Sequence, residues 1–135
     1  MTLEQLENSL PNGFHDAEIE SIAVDYVSKR AVIKMRLHTG DPGAVSEDER
    51  EAYKQADLLL SELFYFVIDP PDPTSEFKEK GSVWVSAGTP EKEDAPLPPV
   101  AAGFLPDGAF AHWFFVIDWN SFIHVAAMHA DLQWV

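Results

Sequence analysis

The chain of 135 residues has the length of one ordinary domain, and we predict a single domain over residues 1–135. Hydrophobic residues make up 46% of the sequence and include nine Phe and four Trp, which excludes global disorder, and the absence of Cys excludes disulfides and thiolate chemistry. The formal net charge of -14 disfavours nucleic acid and anionic membranes as partners. It would attract a basic protein, although such a charge more often only keeps a β-rich protein soluble.

The N-terminal residues predict a short helix. Thr2-Leu3-Glu4-Gln5 matches a capping box, and leucines at positions 3, 6 and 10 fall on one helix face. We expect a helix over residues 3–9, ended by Pro11, with Phe14 entering the core. The N-terminus lacks a basic segment followed by a long apolar run, and no stretch approaches the roughly 18 continuous apolar residues of a membrane span. We therefore predict a cytoplasmic protein that does not enter membranes.

Residues 13–37 carry the clearest strand pattern. Apolar residues alternate over positions 22–26 and again over 31–37, which predicts an antiparallel β-hairpin with one buried face. The turn is expected at Ser28-Lys29. The expected pairs are Ile22 with Met35 and Val24 with Ile33.

The middle of the chain predicts two further strands and the loops around them. A helical turn is expected from Ser46, because Ser46 and Glu49 have capping-box spacing. Residues 55–68 are rich in β-forming residues and predict a strand with a bulge at Ser61-Glu62. The proline-rich segment 69–73 must leave the sheet, a short strand is expected at 82–86, and residues 90–99 predict an irregular loop.

The C-terminal third is the most aromatic part of the chain and predicts a second hairpin. A turn at Trp119-Asn120 would pair Phe115 with His124, and both faces would be apolar, which is typical of a central or sandwiched hairpin. The phase of the alternation changes later, which predicts an adjustment around Ala130-Asp131. Together the elements predict a mainly β (α+β) fold: an antiparallel sheet, sandwich or open barrel with a short N-terminal helix.

Five residues are candidates for a polar or metal site: His15, Asp16, His112, His124 and His129. In the expected register, His112 and His129 share a face as near-diagonal neighbours. With Asp131 or His15 as a third ligand, they could form a two-His-one-carboxylate site for hydrolytic zinc or non-haem iron. No ligand motif accompanies them, and histidines are often half buried with one hydrogen bond. We therefore favour structural roles and predict no metal and no cofactor.

His15-Asp16 could act as a general base with its orienting carboxylate. Adjacent side chains in an extended segment point apart, so we expect these residues instead to cap backbone donors at the start of the first strand. The sequence has no G-x-S-x-G motif and no phosphate-binding glycine loop. It therefore assigns no catalytic residue.

Acidic runs at 47–51 and 91–94 allow another interpretation. They are expected to be solvated loops, and beside exposed aromatic residues they could form a docking surface for a basic protein. Trp113, Phe115 and Trp134 could instead line a small-ligand pocket, although an aromatic stripe is more often core. An exposed edge strand could also make a homodimer.

Several segments resemble a family of small, uncharacterised bacterial proteins: Leu10-Pro11-Asn12-Gly13-Phe14-His15-Asp16-Ala17-Glu18, Tyr53, Ile68-Asp69-Pro70-Pro71-Asp72 and Trp119-Asn120-Ser121-Phe122-Ile123-His124. The shared pattern covers most of the chain. The Phe-His-Asp-Ala opening into a strand is also similar to that of the immunity protein 50-like group, which is proposed to neutralise toxins of polymorphic toxin systems. The resemblance implies a compact β-rich domain and carries over no catalytic residue.

The sequence thus favours a small cytoplasmic β-rich binding protein, with immunity-type neutralisation of a basic toxin as the expected role. The alternative is a metal-dependent hydrolase that uses His15, His112, His124 or His129. Binding without catalysis is the preferred interpretation, because no pattern of nucleophile, base and ligand accompanies the histidines.

Overall fold

The computed structural model describes residues 1–76 and 78–135, and within them two α-helices and six strands. In chain order the elements are α1 Leu3–Ser9, β1 Ala17–Asp25, β2 Arg30–His38, α2 Glu47–Arg50, β3 Tyr53–Ile68, β4 Val83–Gly88, β5 Phe110–Val116 and β6 Ser121–Trp134. Short 3-10 turns at Ala102–Phe104 and Ile117–Trp119 precede β5 and β6. No helix in the two described ranges is long and apolar enough to cross a membrane.

The strands form a closed antiparallel barrel in the order β1-β2-β3-β6-β5-β4. One meander contains β1 to β3 and the other contains β4 to β6. The two join along the long β3–β6 pair and along a short β1–β4 seam, where Glu18 pairs with Trp84. The predicted mainly β fold with an N-terminal helix is therefore confirmed, and the barrel is closed rather than open.

The helix α1 begins and ends where the capping box predicts. The Gln5 amide donates to the Thr2 hydroxyl at 3.1 Å, and the Thr2 amide donates to the Gln5 side chain at 2.9 Å. Leu3 and Leu6 are buried against the barrel core, and Phe14 is fully buried as expected. The core itself consists mainly of aliphatic side chains that include Ile33, Met35, Leu37, Leu58, Leu60 and Val125.

The β1–β2 hairpin has the predicted faces in a different register. The observed pairs are Ile22–Ile33 and Val24–Ala31, so the expected pairs Ile22–Met35 and Val24–Ile33 are wrong. The Asp25 carboxylate accepts hydrogen bonds from the amides of Val27 and Ser28 at 3.0 and 3.1 Å, which makes residues 26–29 a longer turn than expected. A register shift of two keeps the two faces of the hairpin together, because the alternation has a period of two. Val24 and Tyr26, which the alternation predicts on the buried face, are 44% and 78% exposed, and Tyr26 lies in the turn.

The strand β3 confirms the predicted strand and its irregularity. Glu62 has a left-handed backbone with a φ of 50°, and the register with β6 shifts between Leu63 and Tyr65. The pairing with β2 ends at Ser61, so β3 continues beside β6 alone among the described strands. The chain leaves the sheet after Ile68, and α2 and β4 lie where a helical turn and a short strand are predicted.

The β5–β6 hairpin also has its predicted faces in a register displaced by two. His124 pairs with Trp113 and not with Phe115, because the 3-10 turn and a left-handed Asn120 lengthen the connection. Both faces are largely buried, as expected. The indole N–H of Trp113 donates to the Thr89 carbonyl at 3.0 Å, so the connection after β4 covers the outer face here.

Candidate functional site

The structure places the predicted histidines apart, each beside one carboxylate. The distances from His Nε2 to the carboxylate oxygen are 3.5 Å for His15–Asp16, 3.4 Å for His112–Glu7, 3.0 Å for His124–Asp69 and 3.3 Å for His129–Glu62. Within residues 1–76 and 78–135, no group of three or more His, Asp or Glu could hold a metal ion. The five candidate residues do not converge on one site.

The expected placement of His112 and His129 on one face is wrong. The His112 side chain is 1% exposed among buried aromatic rings, whereas the His129 side chain is 60% exposed. The cause is the phase change in β6: Ala127 and Ala130 are both buried, so the alternation breaks between them and turns His129 outward. The adjustment predicted around Ala130-Asp131 exists and falls slightly earlier.

His15 and Asp16 lie side by side, which corrects the prediction that they point apart. Asp16 has a φ of 58°, so this segment is a left-handed turn and not an extended strand. In the described part of the chain, neither side chain caps a backbone donor, so the capping prediction is also wrong. The Tyr53 hydroxyl instead donates to the Asp16 carbonyl at 3.1 Å and fixes the turn against β3.

Two segments quoted for the expected resemblance, residues 68–72 and 119–124, lie together at the β5–β6 turn. His124 Nε2 lies 3.0 Å from Asp69 Oδ2, and the Asn120 side chain donates to Asp72 Oδ2 at 2.9 Å. The Asp72 amide donates to the Trp119 carbonyl at 2.9 Å. These bonds fasten the segment after β3 onto the β5–β6 turn, which is a structural role.

A cleft of about 660 Å³ opens at the start of β3. We call it the Tyr53–Trp84 cleft. Its lining residues are Asp16, His38, Pro42, Arg50, Glu51, Tyr53 and Trp84. They come from the turn before β1, the end of β2, the α2 region, the start of β3 and the start of β4. The barrel seam between β1 and β4 therefore assembles the cleft.

The rings in the cleft hold one another in place. The Tyr53 ring lies 5.2 Å from the His38 ring and 6.3 Å from the Trp84 ring, which stands at 90° to it. His38 Nε2 is 2.7 Å from the Arg50 carbonyl, and because a carbonyl only accepts, Nε2 carries the proton. Trp84 is 41% exposed, so part of its indole is available to a ligand.

Carboxylates outnumber cations around the Tyr53 hydroxyl. Burial raises the pKa of the Tyr53 hydroxyl, and the carboxylates of Asp16 and Glu18 raise it further, while Arg36 lowers it. Arg36 already covers the Tyr53 ring, because its guanidinium carbon lies 5.3 Å from the ring centroid and its Nη1 lies 3.1 Å from Glu18 Oε2. The exposed indole of Trp84 is therefore the aromatic surface of the cleft that is left for a ligand.

Arg50, the cationic residue that lines the cleft, also has partners within the chain. Arg50 Nη1 donates to the carbonyls of Ala44 and Val45 at 3.0 and 2.9 Å, which holds the loop before α2. Among the described residues, the neighbouring Glu51 carboxylate has no hydrogen bond or ion pair, and Glu51 is exposed. Asp16 and Glu51 are thus the carboxylates that a cationic ligand could reach.

Trp84 is positioned by a residue outside the cleft. Its amide donates to Asp118 Oδ2 at 2.7 Å, and the Lys80 ammonium binds the other carboxylate oxygen. Burial raises the pKa of Asp118, but these hydrogen bonds outweigh it and place that pKa below its ordinary value. On the seam side, the Ser82 hydroxyl donates to Glu18 at 2.8 Å. The start of β4 is therefore held from both sides.

The pocket predicted from Trp113, Phe115 and Trp134 does not form. Trp113 and Phe115 both pack against Phe122, with ring centroids 5.6 and 5.1 Å away. Trp134 lies at the far end of β6, where it pairs with Ala56. The prediction is wrong because β6 is long enough to carry Trp134 to the other half of the barrel.

A second cavity, of about 360 Å³, lies between α1 and residues 89–112. Its charged lining residues are Glu4, Glu91 and Asp107, and its ring-bearing residues Phe110 and His112 are buried. It has the same negative sign as the Tyr53–Trp84 cleft but presents no exposed aromatic surface. The Tyr53–Trp84 cleft is therefore the better candidate for binding a cation, because it combines carboxylates with an exposed aromatic ring.

Comparison with protein-family models, with curated proteins and with solved structures found no match. The sequence-based reasoning missed His38 and Trp84 and gave Tyr53 no role. The available signal was weak: Trp84 shares its strand face with Ser82 and Ser86, whereas Val83 and Val85 lie on the other face, and a face with polar residues is typically the exposed one. No local pattern brings these three residues together.

Proposed function

We propose that the protein binds a basic partner protein and that the Tyr53–Trp84 cleft receives an Arg or Lys side chain of that partner. The observation that carries the proposal is the juxtaposition of the exposed Trp84 indole with the carboxylates of Asp16 and Glu51 in an open cleft, where Tyr53 already binds the Arg36 guanidinium in the same way. A cation over an aromatic face is attracted by the ring quadrupole, and nearby carboxylates add Coulomb attraction.

The charge of the whole chain supports the same class of partner. The sequence has 23 acidic residues against 9 Lys and Arg, and the acidic residues at 47–49 and 91–94 are exposed. Such a field steers a basic protein towards the surface and raises its association rate, and added salt screens the effect. The cleft would then supply the short-range specificity that net charge alone lacks.

Neutralisation of a basic toxin in the bacterial cytoplasm is the biological role that we propose. The similarity of Phe14-His15-Asp16-Ala17 to the immunity protein 50-like group supports it. Neutralisation requires a stable complex that covers the functional surface of the toxin, and it needs no catalysis by the binding protein.

A tetra-arginine peptide tests the cleft. We expect the peptide to shift the indole N–H signal of Trp84 in nuclear magnetic resonance spectra before those of the other three of the four Trp residues. Trp84→Ala should weaken peptide binding about fivefold, which corresponds to a cation–π contact of about 1 kcal/mol. Trp134→Ala is the matched control, because Trp134 is 47% exposed and Trp84 is 41% exposed.

The carboxylates are tested by charge-neutral substitutions. Asp16→Asn and Glu51→Gln should each weaken peptide binding, whereas Glu93→Gln, in an exposed loop, should have a smaller effect. Isothermal titration calorimetry at low and physiological salt measures all three. Equal losses for the three variants would mean that only net charge matters and would contradict a specific role for the cleft.

The biological role predicts a gene for a basic toxin beside the gene for this protein, and the product of such a gene provides the test. The purified toxin and this protein should form a complex in size-exclusion chromatography, and the complex should lack toxin activity. Trp84→Ala should weaken the complex relative to Trp134→Ala. A purified pair that does not associate would refute neutralisation of that toxin.

A further inference from the structure

We propose that two copies of this chain pair along the open edge of β3, residues 64–68, to form a two-fold antiparallel sheet across a homodimer. The pairing of β2 with β3 ends at Ser61, and the register with β6 shifts between Leu63 and Tyr65. From that point β3 has β6 on one side and no described strand on the other. We call residues 64–68 the β3 edge.

The main-chain groups that face outward at the β3 edge belong to Phe66 and Ile68. The Asp69 amide donates to the Phe122 carbonyl at 3.0 Å. Hydrogen bonding alternates along an antiparallel strand, so Val67 also bonds to β6, while the N–H and C=O groups of Phe66 and Ile68 point away from it. No described residue bonds these groups, and such unpaired edges readily accept another strand.

The β3 edge lacks the features that normally protect an edge strand. Residues 63–68 contain no charge, Pro or Gly and are rich in aromatic and β-branched side chains. Phe64 is 44% exposed and Ile68 is 60% exposed. Edge strands of monomeric proteins commonly carry Lys or Pro. Here the first Pro after residue 63 is Pro70, which comes only after the strand has ended.

The β3 edge is complementary to itself. With Val67 on the two-fold axis, Phe66 of each copy lies opposite Ile68 of the other, and the outward main-chain groups form reciprocal hydrogen bonds. This register places the acidic Asp69 opposite Tyr65, so no carboxylates of the two copies face each other in the strand. A basic partner would find no carboxylate within residues 63–68, which makes a second copy the better occupant.

Val67→Cys tests the register, because the chain has no Cys of its own. Opposed residues in a non-hydrogen-bonded antiparallel pair have Cα atoms about 4.5 Å apart, which suits a disulfide. Under mild oxidation the variant should give a covalent dimer, and adding Ile68→Lys should suppress it. Val45→Cys, at a position 96% exposed elsewhere, is the control and should stay mostly uncrosslinked.

Sedimentation velocity of the full chain gives an independent readout. The unmodified chain and Val45→Lys should sediment as dimers and Ile68→Lys as a monomer, with circular dichroism showing that all three are folded. Each copy has a net charge of -14, so salt should strengthen the dimer and weaken binding of a basic peptide, which separates this proposal from the proposed function. An unmodified chain that remains monomeric at every concentration, or a folded Ile68→Lys that remains dimeric, would overturn the proposal.

Discussion

Asp118 shows how a residue that touches no ligand can determine a binding surface. Its carboxylate accepts the Trp84 amide and binds the Lys80 ammonium, and its side chain is 13% exposed. Both bonds act on the start of β4, where Trp84 enters the cleft. Asp118 is therefore a positioning residue for the aromatic wall.

Replacing Asp118 should destabilise the fold and loosen Trp84. We expect Asp118→Ala to lower the free energy of unfolding by about 2 kcal/mol, because the Trp84 amide loses a charged acceptor in a mostly buried place. Urea denaturation measures the loss. Asp107→Ala, at an exposed loop position, is the control and should unfold at nearly the same urea concentration as the unmodified chain.

The effect of Asp118 should also depend on pH. Its folded-state pKa lies below the ordinary value of 3.8, so its contribution to stability is complete above that value and is lost as pH falls through the folded pKa. The stability difference between the unmodified chain and Asp118→Ala should be constant from about pH 5 to pH 8 and shrink below about pH 4. A difference that persists unchanged at about pH 2 would contradict the ionic origin.

Gly88 is required by close packing at the end of β4. A Cβ atom at this position would overlap the indole of Trp113, which is 8% exposed and is held by its bond to the Thr89 carbonyl. Gly88→Ala should destabilise the protein by about 1–3 kcal/mol, the range for overpacked cores. Gly81→Ala is the control, because a Cβ there meets no described atom within 4 Å. Thermal unfolding of both variants measures the difference in stability, and the melting temperature of Gly88→Ala should be the lower one.

Among the elements, α1 depends most clearly on a local signal. Thr2 satisfies the Gln5 amide at the start of the helix, and the helix buries Leu3 and Leu6. Thr2→Ala should therefore lower the free energy of unfolding by about 1 kcal/mol, whereas Thr2→Ser keeps the hydroxyl and should have little effect. Chemical denaturation of the two variants measures the difference, and equal losses would show that the hydroxyl is not responsible.

The sequence was sufficient for the elements and for most of the faces, but not for the face of His129, which the phase change in β6 turns outward. Both hairpins nevertheless differ from their predicted registers by two residues, because register depends on turn length. The Asp25 carboxylate bonds to the amides of Val27 and Ser28 in one turn, and Asn120 is left-handed in the other. Asp and Asn permit these conformations, but their presence in the sequence does not show how long the turn is. A shift of two leaves the alternation unchanged, so the pattern predicted the facing sides of both turns correctly and the paired residues incorrectly.

At the scale of the whole molecule, charge repulsion opposes folding. A net charge of -14 on 135 residues should destabilise the compact state at neutral pH, and counterions should screen part of this repulsion. We expect the melting temperature at pH 7 to rise between about 0.01 and 0.15 M NaCl, the range over which the Debye length falls from about 30 to 8 Å. Near the sequence pI of about 4.5, the same addition of salt should have little effect. Differential scanning calorimetry measures both series.

The candidate site depends on the fold of the whole molecule and could not be predicted from local sequence patterns. His38, Tyr53 and Trp84 come from three strands, and Trp84 reaches the others only because β4 pairs with β1 across the seam. That pairing joins residues 17–19 to residues 83–85, which are far apart in the chain, and no periodic pattern in the sequence indicates it. The residues quoted for the expected resemblance include Tyr53 and Asp16, which lie together, but neither His38 nor Trp84.

The β1–β4 seam has a consequence for the speed and order of folding. It joins Ala17 to Val85 and must wait until the intervening chain has been ordered, whereas the β1–β2 and β5–β6 hairpins close over short loops. The transition state should therefore contain the hairpins before the barrel is closed. Val85→Ala, at a fully buried seam position, should speed unfolding in stopped-flow experiments and leave the folding rate nearly unchanged. The strand that completes the barrel would then be the first to open and would set the lifetime of the native protein.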